Sequence, residues 1–94
     1  MQNETYYIVR ADRAGVFFGK IKEKTATSVV MTDVRKIYYW EGANAVEQIS
    51  QDGVGSDSKL TVTVSEMEIE GWIQIIPCTE RATSNLKNHK EWKR

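Results

Sequence analysis

Apolar positions in this chain recur mainly at every second residue, the period of strands. Thr5-Tyr6-Tyr7-Ile8-Val9-Arg10 and Gly15-Val16-Phe17-Phe18-Gly19-Lys20-Ile21 are β-branched and aromatic runs on either side of Ala11-Asp12-Arg13-Ala14, and together they predict a hairpin. After the polar connection Lys22-Glu23-Lys24-Thr25-Ala26-Thr27, residues 28–32 and 34–40 read as strand, with Asp33 marking a bend. The domain is therefore expected to open as a three-stranded meander. Further on, Leu60, Val62 and Val64 alternate with Thr61 and Thr63, whereas Met67, Ile69, Ile73 and Ile75 fall on odd numbers. That change of phase predicts a bulge or turn at Ser65-Glu66 that re-aims the side chains. Glu66, Glu68 and Glu70 alternate on the opposite face and are expected to stay in water, since an unpaired carboxylate turned inward is costly. Pro77 ends the last strand.

Two short helices interrupt this pattern. Asn44 is placed as an N-cap with Glu47 completing a capping box, and Val46 with Ile49 forms a narrow apolar stripe. Gly53 is the expected stop, and Gln51-Asp52-Gly53-Val54-Gly55-Ser56-Asp57-Ser58 has the composition of a mobile surface loop. Thr79 caps a second helix from Glu80 to about Lys87, with Ala82 and Leu86 facing the sheet. Trp92, the one apolar residue of a polar tail, is expected to pack back on the core. The fold class is α+β: a mainly antiparallel sheet, or a small partly open barrel of five or six strands, with two short helices.

At 94 residues the chain has room for one core, so a single domain over residues 1–94 is expected. Its apolar share of 40% is too high for a disordered segment. No apolar stretch approaches the roughly 20 residues of a membrane span, and the start Met1-Gln2-Asn3-Glu4 does not read as a signal peptide. A lone cysteine, Cys78, forms no internal disulfide, which fits a reducing, cytoplasmic setting. Net charge is zero but segregated: seven Lys/Arg against four Asp/Glu in residues 1–40, one against eight in 41–80, and five against one in 81–94. Either the segments neutralise one another in the fold, which we favour, or the basic ends form a nucleic-acid face, which zero net charge disfavours.

Chemistry is sparse. The loop around Gly53 and Gly55 lacks the third glycine of a dinucleotide fingerprint and the Gly-Lys-Ser/Thr of a P-loop. Cys78 and His89 are the only nucleophile–base pair of their kind. Cys78 stands where a helix N-terminus can lower a thiol pKa, but a partly buried packing role is the simpler reading. Zinc needs more Cys/His ligands than the two present, and Glu66-Glu68-Glu70 reads as a hydrated edge before a metal site. No cofactor, metal or catalytic residue is expected, and the chain is read as a non-enzyme.

The most unusual segment is Val34-Arg35-Lys36-Ile37-Tyr38-Tyr39-Trp40-Glu41-Gly42, two cations followed by three rings. Strand alternation places Tyr38 and Trp40 on one face and Arg35, Ile37 and Tyr39 on the other. Such a strand is either covered on both faces or exposed on one, and an exposed face would suit a subunit interface or a ligand ring. Arg35 and Lys36, with Arg10 and Arg13 from the first hairpin, would supply donors to an anionic, nucleotide-like ligand. The candidate contact residues are therefore Arg35, Lys36, Tyr38, Tyr39, Trp40 and Arg10.

Four stretches carry a resemblance: Tyr7-Ile8-Val9-Arg10, Ala14-Gly15-Val16-Phe17-Phe18-Gly19, residues 34–43 with the Arg-x-x-Tyr-Tyr-Trp-x-Gly-Ala run, and Ile75-Ile76-Pro77-Cys78-Thr79-Glu80. On these the chain resembles a family of small phage and prophage proteins of unknown function. The resemblance implies a mobile-element gene in a bacterial host and brings no catalytic residues. The expected function is a non-enzymatic binding protein that self-associates and holds a host partner or a nucleotide-like ligand. A structural or assembly module of the virion and a weak nucleic-acid binder are the alternatives.

Overall fold

The structure, a computed structural model, describes residues 5–93; the polar start at residues 1–4 and Arg94 of the basic tail lie outside the described residues. The elements run β1 (Tyr7–Ala11), β2 (Gly15–Lys24), β3 (Ser28–Tyr39), α1 (Val46–Asp52), β4 (Lys59–Leu60), β5 (Val64–Glu70), β6 (Trp72–Pro77) and α2 (Glu80–Asn88). This is the α+β class expected, and the opening meander forms: β1 pairs with β2 and β2 with β3, all antiparallel. β6 joins the outer edge of β1, while β4 and β5 share the outer edge of β3, one towards each end.

β5 and β6 thus belong to opposite edges of an open sheet, yet only Gly71 separates them in sequence. The sheet must curl until its edges meet there. Gly71, at φ 79°, donates to the Thr27 carbonyl at 2.7 Å and accepts from the Asp12 N–H at 2.9 Å, tying both hairpin turns to one point.

Each face of the sheet buries its own apolar cluster. On one face Ile8, Phe18, Ile37 and Leu60 meet Val46 and Ile49 of α1 and Leu86 of α2. Inside the curl, Val9, Phe17, Val29, Met31, Val34 and Ile69 pack together. A fully buried side chain of this size contributes about 1.5–3 kcal/mol, so the strands are held by burial on both faces.

Several local expectations change. The pairing of β3 with β5 keeps one register from Ser28↔Glu70 to Val34↔Val64, straight past Ser65 and Glu66, so no bulge or turn interrupts β5 there. The change of phase is shared instead. Met31 and Val34 pack in the same cluster, as do Met67 and Val64, and Asp33, opposite that step, has φ 48°. Both strands turn over together, and the extra residue appears only in the register between β3 and β2. Residues 61–63 are not strand: β4 ends at Leu60 and β5 begins at Val64.

α1 starts one residue later than the capping box implies. Ala45 is the N-cap with no side-chain bond, the Asn44 N–H donates to Gln48 Oε1 at 2.9 Å, and Glu47 accepts instead from Gln74 Nε2 at 2.9 Å. Thr79 caps α2 as expected, accepting from the Ala82 N–H, and Ala82 and Leu86 are fully buried. Glu66, Glu68 and Glu70 are exposed, with Lys22 3.2 Å from Glu66.

The stretch after α1 is not a loose loop. Asn85 of α2 accepts from the Val54 N–H at 2.9 Å and donates to the Val54 carbonyl at 3.1 Å. The Gly55 N–H donates to the Glu41 carbonyl at 2.6 Å, and the Ser58 hydroxyl accepts from the Glu41 N–H at 2.9 Å. Val54 and Ser58 are buried, which a glycine- and serine-rich composition does not reveal.

Candidate functional site

β3 leaves the core at its C-terminal end, and its last two residues carry their rings into solvent: Tyr38 is 59% and Tyr39 45% exposed. The tail after α2 runs back beside β4, where Glu91 forms a parallel bridge with Leu60 and the Trp92 N–H donates to the Leu60 carbonyl at 2.8 Å. This places the Trp92 ring on Tyr38, stacked at 4.7 Å between centroids and 16° between planes. Lys59 of β4 reaches two rings, its Nζ 5.3 Å from the centre of Trp92 and 5.7 Å from that of Tyr39. Those distances are within the range of a cation–π attraction. The Tyr39 hydroxyl donates to Glu41 Oε2 at 2.5 Å. That bond, aided by partial desolvation and the charges of Glu41 and Asp57, pushes the phenol above its ordinary pKa and keeps it protonated.

The expected contact residues separate. Arg35 is 2% exposed and makes no offer to an external anion: Nε donates to the Thr61 carbonyl at 2.8 Å, Nη1 to those of Leu86 at 2.7 Å and His89 at 2.8 Å, and Nη2 to that of Lys90 at 3.3 Å. Its role as a ligand donor is corrected to that of a clamp on the backbone. Burial lowers its pKa from the ordinary arginine value, and the charge of Glu91 partly offsets this. Trp40 also departs from alternation. β3 ends at Tyr39, so the next ring turns onto the helix-side core with Ile37 rather than joining Tyr38. Lys36 shares the face of Phe17, with Nζ 6.0 Å from that ring.

Arg10 is exposed on β1 opposite Gln74, on the side of α1. There the Gln74 amide, and to a lesser degree Arg10, hold the Glu47 carboxyl below its usual range. The structure brings together Tyr38 and Tyr39 from the expected set and adds Lys59 and Trp92. Sequence reasoning passed over Lys59, the lone cation of the acidic middle segment, and set Trp92 on the core. The second error has a clear cause, because nothing local shows that the tail returns to Leu60.

Cys78 and His89 line different cavities beside α2. Burial pushes the Cys78 thiol up to about 12, opposite to what a helix N-terminus would do. Both ring nitrogens of His89 face carbonyl oxygens, Nδ1 that of Lys90 at 2.9 Å and Nε2 that of Gly55 at 3.4 Å.

Residues 4–86 match the family model described as Domain of unknown function (DUF6948). The chain belongs to this family. Comparison with curated proteins and with solved structures returns no match. The DUF6948 match takes in Arg35, Tyr38, Tyr39 and Lys59 and ends at Leu86, so the tail that supplies Trp92 lies beyond it.

Proposed function

We propose that this DUF6948 protein is a non-enzymatic binding protein, encoded by a phage or prophage, that grips a host protein through the ring cluster of Tyr38, Tyr39 and Trp92 around Lys59. The observation that carries this reading is the exposure of three large rings side by side, Tyr39 and Trp92 on the Lys59 ammonium and Tyr38 stacked on Trp92. Buried Tyr and Trp anchors with a charged rim dominate protein interfaces. Rings left exposed together on a small domain otherwise cost hydration without return. None of the three rings lines either cavity beside α2, and exposed rings outside such cavities favour a macromolecule over a small nucleotide. The phage setting rests on the sequence resemblance alone.

The test compares the parent with Tyr38→Ala, Tyr39→Ala and Lys59→Ala for capture of a partner from extracts of the bacterial host, with circular dichroism to verify folding. Loss of one defined partner in folded variants supports the reading. Equal capture by parent and variants sinks it, and so does stabilisation by a nucleotide screen in place of protein capture. Light scattering on the purified chain separates the self-association expected from the sequence from capture of a host protein.

A further inference from the structure

The tail beside β4 is held in two unequal halves. Arg35 fixes the first half by its bonds to the carbonyls of Leu86, His89 and Lys90. Past Lys90 that grip ends. Glu91 pairs with Lys93 inside the tail at 3.3 Å, and residues 91–93 meet the body through the bridge to Leu60, the Trp92 N–H bond, the ring stack on Tyr38, the Lys59 ammonium near the Trp92 ring and the charge of Glu91 acting on Arg35. A firm hinge therefore carries a short flap. The flap adds an extended segment in parallel to a two-residue edge strand and lays a ring on Tyr38 next to a lysine. Strand addition of this kind is a general mode of peptide capture: main-chain bonds give affinity and one seated side chain gives selectivity.

Resting on the reading of the ring cluster as a contact surface, we propose that the outer edge of β4 with the face of Tyr38 accepts an extended segment of the partner protein, and that residues 91–93 occupy this place until the partner displaces them. The tail shows what the seat takes: an aromatic residue directly after the one paired with Leu60, preceded here by an acid and set against the ammonium of Lys59. A partner segment that seats its own aromatic residue on Tyr38 competes with the flap for the Leu60 edge. Arg35 keeps the hinge in place throughout, so displacement opens the flap without unravelling α2.

The test uses the full-length chain and, as probe, a fluorescein-labelled peptide with the sequence Asn-His-Lys-Glu-Trp-Lys-Arg. Trp92→Pro removes both the N–H and the ring of the flap while leaving the Arg35 bonds untouched, and Trp92→Gly serves as a second variant should the first fold poorly. By fluorescence anisotropy the peptide is expected to bind either variant at least tenfold more tightly than the parent, and Tyr38→Ala added to the variant is expected to abolish that gain. Equal binding to parent and variants, no binding to either, or a gain that survives Tyr38→Ala overturns the proposal. So does a parent dimer in light scattering that Trp92→Pro dissociates, because the occupant is then the tail of a second copy. If these results fail while Tyr38→Ala still abolishes partner capture, the ring cluster stands as the contact surface and only the strand exchange falls.

Discussion

The Arg35 guanidinium reaches the Leu86 carbonyl at 2.7 Å, joining the middle of β3 to the last turn of α2. A cation inside a core persists only with its donors satisfied, and here the acceptors are all main-chain. Arg35→Ala leaves carbonyls of Thr61, Leu86, His89 and Lys90 without this donor, and we expect a loss of about 3 kcal/mol or more. Arg35→Lys keeps the charge but not the fork, and is expected to lose about 2 kcal/mol. Urea denaturation with an unchanged slope gives both values. A change under about 0.5 kcal/mol in either would show that the clamp contributes little.

Gly53 and Gly71 both have positive φ, 81° and 79°, but their surroundings differ. A Cβ on Gly53 would lie 2.4 Å from Asn85 Oδ1, and Asn85 cannot swing aside without releasing Val54. On Gly71 it would meet nothing closer than 3.8 Å. Gly71→Ala should therefore cost about 1 kcal/mol of backbone strain, and Gly53→Ala at least about twice that. Thermal unfolding ranks the two, and the reverse order would contradict the packing described.

Cys78 is protonated in the folded chain well above the pH at which an exposed thiol ionises. Because burial raises its pKa from 9.0 to about 12, its contribution to stability is complete below pH 9.0 and is lost as pH rises towards 12. At pH 8 we expect iodoacetamide to label it far more slowly than glutathione, and at the ordinary rate in denaturant. Cys78→Ala should flatten the alkaline fall in stability. Fast labelling of the native chain would refute this.

Tyr38 and Trp40 are both aromatic and two residues apart, yet they should respond differently to truncation. Tyr38→Ala removes an exposed ring and should change stability by less than about 1 kcal/mol. Trp40→Ala opens a gap beside the helix-side core and should cost about 2–4 kcal/mol. Denaturation midpoints for the two variants settle the matter.

What the sequence made legible follows from how local each cause is. The strand pairing of β1 to β3, the Thr79 cap and the Ala82–Leu86 stripe are decided within a few residues, and the structure agrees with them, although alternation in β3 changes phase at Asp33. Arg35 is different. Its position with Ile37 on one strand face hints at burial, but its acceptors are carbonyls 26 to 55 residues away, and every residue carries a carbonyl. The Val54–Asn85 bonds make a flexible composition rigid for the same reason, and the phase change in β5 needs no bulge because its neighbour β3 changes with it. At the site, the rings of Tyr38 and Tyr39 could be nominated from strand pattern, whereas the return of Trp92 depends on a tail docking beside Leu60.

The pairing of β1 with β6 also bears on how the chain folds as it leaves the ribosome. Among the described strands β1 is made first and β6 last, so one edge of β1 stays open until residues 72–77 have been synthesised. Contacts of such wide separation slow folding, and an unpaired strand edge on a nascent chain invites intermolecular pairing. Translation stopped before Trp72 would therefore release not a smaller domain but a half-closed sheet with an adhesive edge, a fragment for proteases or inclusion bodies.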